Sequence, residues 1–458
     1  MRLHGLSRYT LVWPFLRKRT FKLFRHLALS HKDMDATDAT STEKKEWVLE
    51  QDNELRFEVE LQHQAELVLT HGQAEIFGTE LVKNKVYSFR SGDKVAVFTW
   101  HGCTIELQGK LEAAYVASET PMVIYLNLHV AMEQLRQKAE KSIPPTIGPK
   151  VMVCGPMDVG KSTLCRLLLN YAVRMGRRPI YVDLDLGQGS IAIPGTIGAL
   201  LVERPADVEE GFSLQTPLVY HHGINNPMAN LKLYSCLVEE VSKNVHKRFE
   251  EKEKARVSGC IVNTCGWVTG EGFRLLLDIA KSFDVNAVLV IDQEKIYNQL
   301  KSRLPDAVQV LHLPKSGGVV ERSKDVRRQK RDEKVREYFY GGRTPLYPHV
   351  FDVNFADIKI YKIGAPSVPD SCLPLGMEPE INELKTVLVH PSRDLLHCVC
   401  SVSTAISEQD AVTSNVAGFI VITNVDMENQ TFTILSPAPR PLPYKILLLS
   451  TIKFMDLK

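Results

Sequence analysis

The chain has 458 residues, which is enough for two to four domains and a large hydrophobic core. Its 44% hydrophobic and 24% charged residues are typical of globular proteins and exclude a disordered or fibrous chain. No apolar run approaches the roughly eighteen residues of a membrane span, so we expect no membrane partner. The nine cysteines include no Cys-x-x-Cys pair, which argues against a disulfide framework or a structural zinc site and favours a reducing compartment.

Positive charge is concentrated at the start of the chain. Residues 1–32 contain eight basic and no acidic side chains, whereas the remainder has 48 basic and 54 acidic ones. Any contact between this acidic body and nucleic acid must therefore come from a local basic patch. The basic start is either a mitochondrial transit peptide or an added extension before a natural start at Met34, and we favour the extension. Residues 35–52 are polar, so we treat 1–52 as an extension followed by a flexible segment.

Short alternating runs of apolar and polar residues follow in residues 53–128, separated by turn residues. This pattern predicts an all-β domain, a sandwich or a barrel. Residues 129–149 are predicted to form one helix, His129–Lys141, and a proline-rich linker that cannot continue it.

The pattern changes at Lys150 to alternating strands and helices. The apolar run Val151–Cys154 precedes a glycine loop, and a helical spacing of apolar residues then continues to Gly176. Because the later strands are also fully apolar, the fold class is α/β, with a domain over 150–342 whose parallel sheet is covered on both faces. Residues 343–458 predict a small C-terminal domain of short strands. The later strands are predicted at Ile180–Leu184, Gly259–Asn263, Asn286–Asp292 and Val308–Leu313, and the helices at about Leu231–Glu250 and Glu271–Phe283.

Residues 155–162, GPMDVGKS, match G-x-x-x-x-G-K-[ST], the Walker A phosphate-binding loop (P-loop). The loop lies between a predicted strand and a predicted helix, where backbone N–H groups and a helix N-terminus can surround a phosphate chain. In this pattern Lys161 binds the β and γ phosphates and Ser162 binds Mg²⁺. The alternative is a glycine turn without a ligand.

Two acids end the next predicted strand. Asp183 and Asp185 are two residues apart and share one face at the carboxyl end of the strand, where ligands collect in such sheets. One carboxylate can serve Mg²⁺, and the other can accept a proton from an attacking hydroxyl. Paired acids at a strand end are often merely solvated, but their position beside a P-loop favours function.

A basic stretch follows the Gly317-Gly318 hinge. Residues 322–336 hold eight basic and three acidic side chains. Phosphoryl transfer needs mobile cations over the transferred group, so this stretch predicts a lid. The alternatives are a solvated helix face and a nuclear-import signal.

Asn263–Trp267 follows another strand at the same edge of the predicted sheet. Trp267 is either a core residue or an aromatic platform that stacks on a nucleic-acid base.

Together these motifs resemble the eukaryotic polyribonucleotide 5′-hydroxyl kinase family, the RNA kinase subunit shared by pre-mRNA cleavage factor II and the tRNA-splicing endonuclease complex. Family members have an N-terminal β domain, a central kinase domain and a small C-terminal domain, and they begin near the position of Met34. The resemblance spans about Glu54 to Lys458 and includes the phrases EIFGTEL (75–81), VAVFTWHGC (95–103), RPADVEEGFS (204–213), LPKSGGVVERSKD (313–325), PDSCLPLGM (369–377) and SPAPRPLP (436–443).

The resemblance implies an ATP- and Mg²⁺-dependent kinase that transfers the γ-phosphate to the 5′-hydroxyl of RNA in mRNA 3′-end processing and tRNA splicing. It implies a nuclear location, and as partners RNA with a 5′-hydroxyl end, subunits of cleavage factor II and the tRNA-splicing endonuclease complex. The competing class is a scaffold that binds ATP without turnover. A GTPase switch is disfavoured because the guanine-reading Asn/Thr-Lys-x-Asp element is absent from the sequence.

The resemblance also implies residue roles. Asp185 activates the hydroxyl with Gln188 nearby, and Arg322 and Arg327 act with Lys161 in catalysis. The adenine is implied to be held by Glu54 and Lys94, the phosphates by Asp158, Val159, Gly160, Lys161, Ser162 and Thr163, the RNA end by Thr264, Trp267 and Gln188, and the metal by Ser162 and Asp183.

Two positions depart from the family pattern. Met157 replaces a small polar residue, and Asp183 stands where many members have Glu, which leaves open which of the paired acids contacts the metal. Arg322 and Arg327 are five residues apart, about 140° around an ideal helix. Both can reach one phosphate only if the lid is bent or its helix begins near Arg322.

Overall fold

A computed structural model describes residues 44–364 and 383–455. These residues form two compact units, the first made of the described residues up to Ala74 with Leu81–Ala117, and the second of Glu75–Glu80 with the described residues from Ser118 onward. Our predictions for residues 1–43 and for the phrase at 369–377 lie outside the described part of the chain.

Strands fill the described chain up to residue 117. Two antiparallel sheets, β1-β8-β3-β6 and β7-β2-β9, make the first unit, and the β4–β5 hairpin belongs to the second. The rings of Phe57 on β2 and Phe89 on β6 meet edge to face at 5.3 Å, so the two sheets pack as the predicted β-sandwich. The strands are β1 (Lys45–Leu49), β2 (Glu54–Val59), β3 (Ala65–Gly72), β4 (Glu75–Ile76), β5 (Thr79–Glu80), β6 (Val86–Phe89), β7 (Lys94–Phe98), β8 (Cys103–Gly109) and β9 (Leu111–Ala117).

The structure differs from the sequence-based boundaries at both ends of this sandwich. The segment predicted to be flexible contains β1, an edge strand paired antiparallel with β8. Only Leu49 of β1 is buried, so β1 carries no alternating apolar signal. At the other end a helix, α1 (Met122–Lys141), begins seven residues before the predicted His129. Its apolar first two turns look like a strand, because a short apolar run does not distinguish the two structures.

The middle of the chain alternates strands with helices. The sheet order is β13-β12-β11-β14-β10-β15-β16. The elements are β10 (Lys150–Cys154), α2 (Lys161–Arg174), β11 (Ile180–Asp183), β12 (Thr196–Leu201), β13 (Leu218–His221), α3 (Leu231–Glu251), α4 (Glu253–Ser258), β14 (Cys260–Asn263), α5 (Glu271–Ser282), β15 (Ala287–Ile291), α6 (Glu294–Arg303), β16 (Gln309–Leu313) and α7 (Lys324–Tyr340).

The predicted parallel sheet is confirmed for β11, β14, β10, β15 and β16. The sheet as a whole is mixed, since β12 pairs antiparallel with β11 and β13 pairs antiparallel with β12. Every residue of β10, β11 and β14 is buried. Because these three strands are neighbours, the loops that follow them meet at one carboxyl edge of the sheet.

The chain ends in a second seven-stranded sheet, of order β17-β22-β21-β20-β23-β18-β19. Its strands pair antiparallel except β18 with β23. They are β17 (His349–Asn354), β18 (Lys359–Ile363), β19 (Thr386–Val389), β20 (Cys398–Ser403), β21 (Val416–Asp426), β22 (Thr431–Ser436) and β23 (Ile446–Lys453).

This C-terminal sheet is joined to the central sheet beyond β13. The amide of Thr451 donates to the carbonyl of Gly223 over 2.9 Å. The buried His221 Nδ1 lies 2.7 Å from Ser401 Oγ. In addition, the Phe339 ring at the end of α7 stacks on Phe454 with 5.9 Å between centroids.

No helix within residues 44–364 and 383–455 combines the length and apolar character needed to cross a membrane.

Candidate active site

The P-loop connects β10 to α2 through glycines with unusual backbone angles. Gly155 has a φ of 147°, and a Cβ there would lie 2.8 Å from the carbonyl oxygen of Ile291. Gly160, with a φ of 93°, is the residue from which α2 starts. The first turn of α2 contains no acidic residue, and Ser162 and Thr163 are exposed there. The unpaired N–H groups of this helix start can therefore bind an anion, as the motif predicts.

Lys161 lies at the base of this loop and is 7% exposed. Its Nζ donates to the carbonyl oxygens of Gly155 at 3.0 Å and Pro156 at 2.6 Å. Burial lowers the pKa of Lys161, and the charge of Asp185 acts in the opposite direction. The predicted phosphate-binding lysine and the predicted base are thus within electrostatic reach of each other.

Asp183 is enclosed by donors. Its carboxylate accepts hydrogen bonds from Ser190 N at 2.7 Å, Ser190 Oγ at 2.8 Å, Tyr181 OH at 3.1 Å and Asn263 Nδ2 at 3.0 Å. The residue is 2% exposed. Asp183 consequently fixes the loop that follows β11.

Asp185 has a different environment. Its Oδ1 accepts from the amides of Gly187 at 2.9 Å and Gln188 at 3.1 Å. Its Oδ2 has no hydrogen-bond partner among the described residues. Burial and the neighbouring charge of Asp183 raise the pKa of Asp185. A carboxylate with one open oxygen and a raised pKa suits a general base.

Asn263, at the end of β14, is a site residue that sequence reasoning did not select. Its Nδ2 lies 3.3 Å from Ser162 Oγ and 3.0 Å from Asp183 Oδ1, so it joins the P-loop to the acid pair. Its Oδ1 is buried and has no hydrogen-bond partner in the described part of the chain. The signal was present in the sequence, as one polar residue ending the apolar strand CIVN.

The side chains of Ser162, Asp183 and Asn263 bring oxygen atoms of the kind that Mg²⁺ prefers. No group of three His, Cys, Asp or Glu side chains able to hold a metal occurs within the described ranges. A Mg²⁺ ion bound mainly by phosphates and water, with few protein oxygens, fits this arrangement. Ser162, Asp183 and the unpartnered Asn263 Oδ1 would hold it.

The two residues predicted to contact RNA in the loop after β14 lie in different environments. Thr264 is fully buried, and its Oγ1 donates to the carbonyl of Val153 at 3.0 Å. This geometry argues against a direct contact between the Thr264 side chain and RNA. Trp267 is half-buried, and a Cβ on Gly272 would lie 2.6 Å from its Cγ, so the indole packs on the glycine of α5.

The lid arginines both contact the P-loop residue Asp158. Arg322 donates from Nε at 2.9 Å and Nη2 at 2.7 Å, and Arg327 donates from Nη1 at 2.9 Å. Ser323 caps α7 by accepting from Val326 N, so Arg322 precedes the helix and Arg327 lies on it. Because α7 begins only after Arg322, the 140° separation that an ideal helix would impose on the two arginines does not apply.

Glu54 and Lys94 belong to the first unit. Glu54 is buried at the start of β2 and accepts from Arg56 Nε at 2.6 Å. Lys94 donates to Glu58 on the neighbouring strand. Their assignment to the adenine stays a prediction.

Three family models match the chain in consecutive segments. The N-terminal beta-sandwich domain of polyadenylation factor matches residues 48–139, the mRNA cleavage and polyadenylation factor CLP1 P-loop matches 155–341, and the Pre-mRNA cleavage complex II protein Clp1 matches 346–456.

Similar proteins and structures agree with these models. A Homo sapiens protein named Polyribonucleotide 5′-hydroxyl-kinase Clp1 is 59% identical over 411 residues, 90% of this chain and 96% of its own length. The Nematostella vectensis Protein CLP1 homolog is 59% identical over 423 residues, 92% of this chain and 99% of its own. A solved Clp1p–Pcf11p complex has a TM-score of 0.79 at 23% identity over 91% of this chain and 99% of that chain, which shows the same fold. The three-part fold, the P-loop site and these matches lead to one assignment: the chain belongs to the Clp1 family.

Proposed function

We propose that this chain is an ATP-dependent polynucleotide kinase that transfers the γ-phosphate of ATP to the 5′-hydroxyl of RNA. One observation carries the proposal: the P-loop lysine, the carboxylate of Asp185 and the two lid arginines all lie around the P-loop. The curated relatives that are 59% identical bear the name of this activity.

Each group has a separate task in the transfer. Phosphoryl transfer depends mainly on positioning and on stabilising charge at the phosphate oxygens. Lys161 exchanges its two loop carbonyls for the β and γ phosphates. The open oxygen of Asp185 accepts the proton of the 5′-hydroxyl as the hydroxyl oxygen attacks the γ-phosphorus. The bond between that phosphorus and the β–γ bridging oxygen breaks, and ADP leaves. Arg322 and Arg327 then neutralise charge on the transferred group.

The binding residues in this proposal combine the P-loop site with the sequence resemblance. Ser162, Asp183 and Asn263 would hold Mg²⁺, which supplies charge neutralisation at the phosphates when it is bound. Trp267 and Gln188 contact the acceptor in this proposal, and the assignment of the adenine to Glu54 and Lys94 is supported by the sequence resemblance alone. The remaining P-loop residues give backbone contacts to the phosphates.

We further propose that the activity serves mRNA 3′-end processing and tRNA splicing in the nucleus. The family models name pre-mRNA cleavage complex II, and a structurally similar Clp1p was solved bound to Pcf11p. These names support a cleavage factor II subunit as a partner. The tRNA-splicing endonuclease complex and the nuclear location are supported by the sequence resemblance alone.

The test is transfer of labelled γ-phosphate from ATP to a 5′-hydroxyl RNA oligonucleotide. We expect a 5′-phosphorylated product that depends on Mg²⁺. Lys161→Ala should reduce the rate to less than a tenth, because the phosphates lose their cation, whereas Lys281→Ala on the exposed surface of α5 should not change it. Thermal melts confirm that each variant is folded.

The scaffold alternative gives a different result in the same assay. If the folded protein binds ATP and Mg²⁺ but transfers no phosphate to RNA of any tested sequence, the kinase proposal is wrong and the scaffold is favoured.

A further inference from the structure

Asp158 makes the densest set of contacts between the P-loop and the lid. Its Oδ1 receives two bonds from the Arg322 guanidinium, and its Oδ2 receives one from Arg327 Nη1. Its Oδ2 also accepts from the backbone N of Arg322 at 3.2 Å. The Asp158 side chain is 4% exposed, whereas the Arg322 and Arg327 side chains are 36% and 19% exposed. The carboxylate is thus enclosed by the lid, and the arginines keep part of their surface open.

The charge of Asp158 has the same sign as the charge of a phosphate group. Burial tends to raise the pKa of this carboxyl, but the hydrogen bonds and charges of Arg322 and Arg327 outweigh it and leave the pKa below its ordinary value. An ionised carboxylate repels phosphate oxygens. The direct contact with phosphate that the sequence resemblance implied for Asp158 does not suit its side chain.

Asp158 makes these contacts from an unusual backbone conformation. Asp158 has a φ of 54°, in the left-handed region that non-glycine residues seldom adopt. A second contact lies beside it, since a Cβ on Gly160 would be 3.3 Å from Val319 Cγ2. The segment 319–327, which leads from the Gly317-Gly318 hinge into α7, therefore lies against the loop at two points, on either side of Val159.

Both guanidinium groups keep donors for a ligand. An arginine has five N–H donors, and Asp158 uses only some of them. Within the described residues, Arg322 Nη1 and Arg327 Nη2 make no hydrogen bond. A carboxylate that binds one edge of each group leaves the other edges for the transferred phosphate.

We propose that Asp158 is a positioning residue of the lid: it holds Arg322 and Arg327 beside the P-loop before ATP arrives and orients them toward the transferred phosphoryl group. This inference rests on the proposed kinase function for its catalytic part. The closure of the lid over the loop does not depend on turnover. Two measurements therefore separate the claims.

The first measurement is hydrogen exchange of the segment 319–327 in the absence of nucleotide. The amide of Arg322 is bonded to Asp158, so Asp158→Ala should speed its exchange by tenfold or more. Arg322→Ala should loosen the segment to a similar degree, and the double variant should add little to either single one. The matched control is Asp332→Asn, which removes one exposed carboxylate from α7 away from the loop.

The second measurement separates turnover from ATP affinity. Asp158→Asn keeps the size of the side chain but removes its charge, so we expect kcat to fall by tenfold or more while the Kd for ATP changes by less than threefold. Asp158→Glu should recover part of kcat, because it restores the charge. A purely structural role would change the melting temperature without this separation of kcat from Kd.

The outcomes are distinguishable. If exchange in segment 319–327 is the same in the wild type, Asp158→Ala and Asp158→Asn, the lid role of Asp158 is wrong whatever the activity. A tenfold loss of ATP affinity at unchanged kcat would assign Asp158 to ATP binding instead. If the wild type transfers no phosphate but the exchange effect is present, the kinase proposal fails and the lid contact stands.

Discussion

Asp183 and Asp185 are chemically identical residues in different environments. The sequence could place both at the end of one strand, because a spacing of two puts them on one face. It could not assign their roles, because the roles depend on donors distant in the chain, such as Asn263. Asp183 has its hydrogen bonds satisfied, and Asp185 keeps an open oxygen. Asp185 is accordingly the stronger candidate for the base.

This environment predicts an acid limb in the pH profile. The base works only when ionised, and burial together with Asp183 raises the pKa of Asp185. We therefore expect kcat to fall, as the pH is lowered, at a higher pH than the value near 4 typical of a free aspartic acid. Asp185→Asn should reduce kcat by about 10²–10⁴-fold, the usual worth of a general base.

The measurement is kcat against pH for the wild type, Asp185→Asn and the control Asp278→Asn, which alters an exposed residue of α5. A flat profile down to pH 4.5, or an Asp185→Asn variant within tenfold of the wild type, would exclude Asp185 as the base.

Trp267 was predicted to be either a core residue or an aromatic platform that stacks on a base. The indole packs on Gly272 but is not part of the core. If it stacks on the terminal base, Trp267→Ala should raise the KM for RNA by a factor equivalent to about 1–3 kcal/mol, with little change in Tm or ATP affinity. RNA titrations and thermal melts on one purified variant provide the check. A large fall in Tm with an unaltered KM would return Trp267 to a structural role.

Among the elements, those with strong periodicity were predicted best. The helix expected over Leu231–Glu250 is α3, Leu231–Glu251, because eight buried side chains recur along one face. The P-loop strand and helix follow from one motif. Three strands, β1, β12 and β13, were not predicted. β1 is an edge strand defined by its pairing with the distant β8, and β12 and β13 extend the central sheet by antiparallel pairing beyond β11.

The lid is an element whose two arginines act from different local structures. Because Arg322 precedes α7 and Arg327 lies in its first turns, both point to one carboxylate. Arg322→Ala and Arg327→Ala should each lower kcat by about 10²–10⁴-fold while ATP still binds, since such cations act mainly in the transition state. Single-turnover rates and ATP titrations test this, with Arg328→Ala on the same helix as control. Equal losses of affinity and turnover would indicate ground-state binding.

At the scale of the whole molecule, a buried histidine lies where the central sheet meets the C-terminal sheet. Burial, aided by His222, lowers the pKa of His221 to about 3, so His221 is neutral in the folded protein at ordinary pH. In the unfolded chain its pKa is about 6.5. Above pH 6.5 His221 is neutral in both states, and its contribution to the free energy of unfolding is complete. As the pH falls below 6.5, the unfolded chain binds a proton at His221 and the folded protein does not, so the free energy of unfolding decreases by about 1.4 kcal/mol per pH unit.

The corresponding prediction concerns acid stability. Between pH 7 and pH 5 the wild type should lose about 2 kcal/mol more of its free energy of unfolding than His221→Gln, which cannot titrate. Urea unfolding at the two pH values measures the difference, and His246→Gln, on the half-buried surface of α3, serves as control. Equal losses in wild type and His221→Gln would show that folding does not lower the pKa of His221.

The anchoring of α7 limits where this protein can be divided. Tyr338 OH accepts from Phe419 N at 3.0 Å, and Phe339 is fully buried against Phe454. A fragment that stopped at Gly342 would keep the whole P-loop motif and every arginine of the lid, yet it would expose two aromatic rings to water. The helix that carries those arginines therefore contacts the P-loop near its start and the C-terminal sheet at its end. Recombination, proteolysis or gene fusion at this apparent domain boundary would separate the catalytic helix from the sheet that holds its end.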